Sequence, residues 1–262
     1  MNIIRQRPDQ KFVKGAVYLL IISKFQKMKQ LSLALVAMTL MFTACKKITG
    51  EGPVVNETRQ ITGFSGVDLR SSADVYFTQA PQFKVEITAQ QNILDVIETY
   101  VFNNRLVVKY KNNVNIKSHE PVMVVVHAPS LNFLRVSGSG NITATNISQS
   151  ALMDMDVSGS GSINITDLVT GNIKANISGS GEMKINSGSA NELDLKISGS
   201  GDIDFANVVA NKAVTNTSGS GNIRLHATES LKVKISGSGD VYYKGNPLIS
   251  TTISGSGQVK PI

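Results

Sequence analysis

The chain has 262 residues, with 26 lysines and arginines against 19 aspartates and glutamates, for a formal charge of +7. Seven of those bases and one of the acids lie in residues 1–44, leaving 19 against 18, or +1, for residues 45–262. The near-neutral remainder offers no case for a nucleic-acid groove, Cys45 alone cannot close an intramolecular disulfide, and His119, His127 and His226 are too scattered for a zinc site.

At the start, Met28-Lys29-Gln30 precedes an apolar run of 12 residues, Leu31 to Phe42. That is too short to favour a membrane-spanning helix and suits the core of a signal peptide. Phe42-Thr43-Ala44-Cys45 resembles the lipobox of bacterial lipoproteins, which implies cleavage after Ala44 and a lipid on Cys45. Residues 1–44 are therefore expected to be a leader, with the signal peptide at 28–44 and Met28 as the start. Phe12 to Ile22 carries an apolar patch of its own, so a longer leader or an additional anchor stays open. Residues 45–61 are expected to form a lipid-anchored tether and 62–262 a single β-helical domain.

Phe64 to Leu69 leads into Ser71-Ser72-Ala73-Asp74-Val75, which reads as a repeat corner that has lost its glycines. Between Ser71 and Ser137 there is room for about three coils or an elaborated cap. The strand candidates are Phe83–Thr88, Ile97–Phe102, Leu106–Tyr110, Val114–Ile116 and Val122–His127, with a helical turn or loop within Gln90–Glu98.

From Ser137 the chain becomes periodic. Ser-Gly-Ser-Gly begins at Ser137, Ser158, Ser178, Ser198, Ser218, Ser236 and Ser254. A spacing near 20 residues fits one coil of β-structure and is too short for a packed helix pair, so the pattern predicts an all-β, single-stranded, right-handed parallel β-helix. After each corner polar and apolar residues alternate. This places Ile142, Ile163, Met183, Ile203, Ile223, Val241 and Val259 in one inward column, and Ala144, Ile165, Ile185, Phe205, Leu225 and Tyr243 in a second. Before each corner, Val136, Val157, Ile177, Ile197, Thr217, Ile235 and Ile253 form a third column, with Leu134, Met155, Ala175, Leu195, Thr215, Val233 and Thr251 beside it. Two strands per coil joined by a tight corner is the simplest arrangement that satisfies these columns. Outward, Asp154, Lys174 and Asp194 occupy equivalent places, as do Lys184, Asp204 and Arg224. Such opposite charges on neighbouring rungs attract by about 0.2–1 kcal/mol and help to choose register.

The Phe64-Ser65-Gly66-Val67 opening, the Asp74-Val75 strand and the recurring Val136-Ser137-Gly138-Ser139-Gly140-Asn141-Ile142 unit together resemble the auto-transporter adhesin family with a head GIN domain. The resemblance covers roughly residues 60–262. It implies a secreted or lipid-anchored bacterial β-helical protein and supplies no catalytic residues.

Glu182 and Asp202 on neighbouring coils, with Asp204 nearby, are the best carboxylate pair for a polysaccharide-acting enzyme, yet strand alternation and exposure explain them without catalysis. Ser-Gly-Ser-Gly-Asp occurs only at Ser198–Asp202 and Ser236–Asp240, too sparsely for calcium-loaded coils. No nucleophile elbow and no phosphate-binding glycine loop is present. Phe133 alternates with Leu134 and should point away from the core, which makes it the leading aromatic contact among Tyr76, Tyr100, Tyr110, Tyr242 and Tyr243. The expected function is a non-catalytic envelope module that binds a carbohydrate or envelope protein, with Phe133, Glu182, Asp202 and Asp204 as candidate contacts and no cofactor, metal or nucleic acid. The alternatives are the polysaccharide-acting enzyme and a purely structural envelope lipoprotein. The bacterial outer membrane is the expected location.

Overall fold

The computed structural model describes residues 46–262, and residues 47–262 form one compact unit. The leader, the start at Met28 and the lipid on Cys45 fall outside the described residues.

Among the described residues the first elements are β1 (Lys46–Thr49) and β2 (Val54–Arg59), then β3 (Gly66–Arg70) and β4 (Asp74–Gln79) on either side of the Ser71-Ser72 corner. It continues through β5 (Lys84–Gln90), one helical turn α1 (Gln91–Leu94), the hairpin β6 (Ile97–Phe102) and β7 (Arg105–Tyr110), then β8 (Val114–Ser118) and β9 (Met123–Ala128). The repeats follow as β10 (Phe133–Gly138), β11 (Asn141–Thr145), β12 (Ile147–Gly159), β13 (Ser162–Ile165), β14 (Leu168–Gly179) and β15 (Glu182–Ile185). They end with β16 (Gly188–Gly199), β17 (Asp202–Gly219), β18 (Ile223–Gly237), β19 (Val241–Lys244), β20 (Leu248–Gly255) and β21 (Val259–Pro261).

Each coil pairs in parallel with the next, so the fold is a β-solenoid. The column after the corner is continuous in register from Ile142 through Ile163, Met183, Ile203, Ile223 and Val241 to Val259. All are buried except Val259, which is partly covered at the end. The column before the corner runs likewise from Val136 to Ile253. Strict alternation turns every second side chain inward, and parallel stacking sets like upon like, so one apolar pattern repeated builds one core. Thr215 and Thr217 interrupt it: both are buried, and their hydroxyls have no hydrogen-bond partner.

Three expectations need correction. The coil has three inward-facing segments, not two. Leu168 is buried and so are Ile173, Ala175 and Ile177; the odd step from 168 to 173 reverses the inward parity, which a straight strand cannot do, so a corner lies between them. The third segment stacks Ile147 on Leu168, Gly188 and Val208, a column too irregular to read from periodicity.

The second correction concerns the order of coils. β3 pairs in parallel with both β10 and β7, while β4 pairs with both β11 and β9. The coil that comes first in the chain is therefore second in space, and residues 105–128 lie beneath it. β2 and β5 pair antiparallel, β5 also pairs antiparallel with β9, and β6 with β7. The stretch 45–61, read as a tether, supplies β1 and β2 to this cap from Lys46 onward. Arg59 fastens it by donating from Nη1 to the Ile97 carbonyl at 2.8 Å and to Thr99 Oγ1 at 2.9 Å.

Third, Thr251 and Ile253 keep register with Val233 and Ile235 but are exposed, because among the described residues no further strand covers them.

Candidate binding face

The outward residues of the segment before each corner form three ladders. Phe133, Asp154, Lys174, Asp194, Val214 and Lys232 make the first, and Arg135, Asp156, Asn176, Lys196, Asn216 and Lys234 the second. The first serine of each corner, from Ser137 to Ser236, makes the third. Along the second and third ladders lies an open groove of about 580 Å³. Asp156 organises its upper part, accepting from Arg135 Nη2 at 2.8 Å and from Asn176 Nδ2 at 3.0 Å. Lys196 reaches sideways to Asp194 at 3.2 Å. Within the groove, Asn216 and the hydroxyls of Ser158, Ser178, Ser198 and Ser218 have no side-chain hydrogen bond among the described residues, which leaves a row of neutral donors and acceptors facing solvent.

Phe133 stands at the head of this face. It does point away from the core, as alternation requires, yet it is only 5% exposed. The Arg105 guanidinium carbon lies 3.3 Å from its ring centroid and that of Arg135 lies 5.2 Å away. The ring is thus a platform for two cations. Gly66, in register with Phe133, makes room: a Cβ there would come within 2.9 Å of the Phe133 Cβ. On the other side stands Asp154. Burial pushes its carboxyl above the usual range, against the pull of Lys174, whose Nζ is 4.0 Å from Oδ2, and Oδ1 is buried without a partner. Arg105, Phe133 and Asp154, with Asn104, Asn132 and Leu152, line a second hollow of about 410 Å³. Nothing in sequence spacing brings Arg105 here; it arrives because the coil of residues 105–128 is inserted out of order.

The predicted carboxylates occupy a different side. Glu182 and Asp202 are in register on adjacent coils. Glu182 is exposed, but Asp202 Oδ1 accepts from both the Asn222 backbone N–H at 2.8 Å and Asn222 Nδ2 at 3.1 Å. The device repeats, with Asn222 Oδ1 accepting from Asp240 N–H at 3.1 Å and Asp240 Oδ1 from Gln258 N–H at 2.8 Å. In earlier coils the corresponding N–H groups of Ser162, Glu182 and Asp202 bond to the glycine carbonyls of Gly140, Gly161 and Gly181. Asp202 therefore replaces a backbone acceptor. Asp204 is engaged locally, accepting from Ala206 N–H at 3.3 Å. Of the tyrosines, Tyr76 and Tyr100 are exposed, whereas Tyr242 donates to Asp240 and lies between Arg224 and Lys260. Among the described residues no group of three or more His, Cys, Asp or Glu is placed to hold a metal ion.

Residues 63–247 match the family described as "Putative auto-transporter adhesin, head GIN domain". The chain belongs to that family. Several solved structures share the fold. A structure described as a putative adhesin from Bacteroides fragilis NCTC 9343 is 24% identical, with a TM-score of 0.74, covering 82% of this chain and 100% of its own. One described as a putative lipid binding protein from Parabacteroides distasonis ATCC 8503 is 24% identical, with a TM-score of 0.68, covering 83% of this chain and 100% of its own. A putative adhesin from the same organism gives 24%, 0.67, 83% and 100% respectively. No curated protein matches the chain. At these identities the solved structures speak for the solenoid and its cap, while family membership makes this an adhesin-like binding module.

Proposed function

We propose that this protein is an envelope-anchored, non-catalytic module that binds an extended carbohydrate along the groove between Arg135 and Asn216. The observation that carries the reading is the ladder of unpartnered serine hydroxyls beside Asn176, Lys196 and Asn216, repeated from coil to coil at about 4.8 Å. A rigid stack presents these groups without an ordering cost, which suits a ligand that itself repeats hydroxyl groups. Phe133 serves from beneath by supporting Arg135 at the head of the groove, and the exposed Glu182 is a contact on another side. The engagement of Asp202 and Asp204 with backbone N–H groups favours binding over hydrolysis. Anchoring rests on the Phe42-Thr43-Ala44-Cys45 sequence, and adhesin membership agrees with an envelope location.

Titration of the protein against glycans and envelope fractions should give saturable binding without product formation, weakened by Lys196→Ala combined with Asn216→Ala. Binding indifferent to that double variant would overturn the groove assignment. Cleavage abolished by Glu182→Gln with the fold intact would make the protein an enzyme. For the anchor, mass spectrometry should find acylated Cys45 at the mature N-terminus, and Cys45→Ser should release the protein from membranes.

A further inference from the structure

The end of the solenoid formed by β20 is open. All eight of its residues are exposed, and among the described residues it pairs with β18 alone. Ile249, Thr251 and Ile253 hold the same register as Leu231, Val233 and Ile235, each 1% exposed, yet Ile249 is 43% exposed and Ile253 42%. One whole edge of backbone N–H and C=O groups is thus unpaired above an uncovered slice of core. Sheet edges are normally guarded by charge, proline, bulges or shortness. Neighbouring β21 has three residues and carries Lys260 and Pro261. β20 has none of these guards: Leu-Ile-Ser-Thr-Thr-Ile-Ser-Gly is uncharged, contains no proline and pairs without a register shift.

We propose that β20 is the contact surface for a second copy of this chain, joined edge to edge by antiparallel pairing about a two-fold axis through Thr251. In an antiparallel ladder the residues that face each other share a side of the sheet. Centring the pairing on Thr251 sets Ile249 opposite Ile253 of the second copy, Thr251 opposite its counterpart, and Ser250 opposite Thr252. The inward pairs within Ile249–Ile253 are then apolar or threonine; on the outward side Ser250 meets Thr252, hydroxyl with hydroxyl, and Leu248 meets Ser254 at the margin. A two-fold contact requires a strand that complements itself about its own centre, whereas an unrelated strand would impose no such symmetry. The pairing also completes both cores across one continuous sheet. Lys232 and Lys234, the charges in the part of β18 that pairs with β20, would face their counterparts across three strand spacings, about 14 Å, beyond the screening length of about 8–10 Å at physiological salt.

The test is sedimentation of the compact unit 47–262, with circular dichroism to confirm the fold of each variant. The wild-type unit should be a dimer. Thr251→Lys and Thr251→Glu each place like charges opposite one another and should raise the dissociation constant roughly ten-fold or more. Mixing the two variants in equal amounts should restore a dimer containing one of each, identified by native mass spectrometry. A monomeric wild type, a dimer unaffected by either charge, or a mixture that fails to recombine would each overturn the proposal.

Discussion

Alanine substitutions at three corner glycines should separate two costs that the repeat normally hides. Gly199 has φ +134°, and a Cβ there would lie 2.3 Å from the Gly179 carbonyl oxygen of the coil below. Gly201 has no left-handed φ, but its Cβ would lie 2.3 Å from the Gly181 oxygen and 2.7 Å from Ile177 Cγ2. Gly138 has φ +130° and open space, the nearest atom being the Ser71 oxygen at 3.7 Å, because the coil beneath it turns through Ser71-Ser72. Gly138→Ala therefore bears backbone strain alone, about 1–2 kcal/mol. Gly201→Ala bears only the clash with a neighbouring coil, about 1–3 kcal/mol. Gly199→Ala bears both, about 2–5 kcal/mol if the two costs roughly add. Equilibrium unfolding in urea at constant m-value measures all three. Equal losses at Gly138 and Gly199, or a Gly201→Ala variant within about 0.5 kcal/mol of wild type, would refute the idea that coil-to-coil approach demands these glycines.

Thr217→Val should stabilise the fold by about 1 kcal/mol, since it exchanges a buried hydroxyl without a partner for a methyl group of the same shape; destabilisation on thermal or urea unfolding would show that the hydroxyl is satisfied. Asp202→Ala should cost about 1 kcal/mol by orphaning the Asn222 N–H, whereas Asp202→Asn keeps an acceptor and should cost less; the same urea titration ranks them. Burial opposes ionisation of Asp240, but the hydrogen bonds from Gln258 N–H, Lys260 and Tyr242 outweigh it and hold the carboxyl below its usual range. Its contribution is therefore complete above the unfolded value of about 3.9 and is lost as pH falls through the lower folded value. Amide exchange at Gln258 should quicken over that acid window, and Asp240→Asn should remove the pH dependence.

The leucine, isoleucine and valine columns, the Ser-Gly-Ser-Gly corners and the coil-to-coil register were legible in the residues because each depends on a pattern repeated at short range. Alternation sets which side chains turn inward, and translation by one coil copies that decision, so the stack of Ile163, Met183, Ile203 and Ile223 follows from the sequence pattern. Phe133 was likewise placed on the outer side by parity with Leu134. What covers Phe133 was not legible, since Arg105 reaches it only after the chain has laid residues 105–128 beneath the coil that precedes them. Non-local strand pairing decides that order, and no periodicity records it. The third segment escaped notice because Gly188 stands between Leu168 and Val208 in its column. Asp202 was legible as a non-catalytic carboxylate and candidate contact, but not as the acceptor for the Asn222 N–H, a role that depends on which backbone donors the stacked coils leave unpaired. The exposure of Ile253 has the same origin: its pattern is that of a core residue, and only the absence of a covering strand among the described residues turns it into surface.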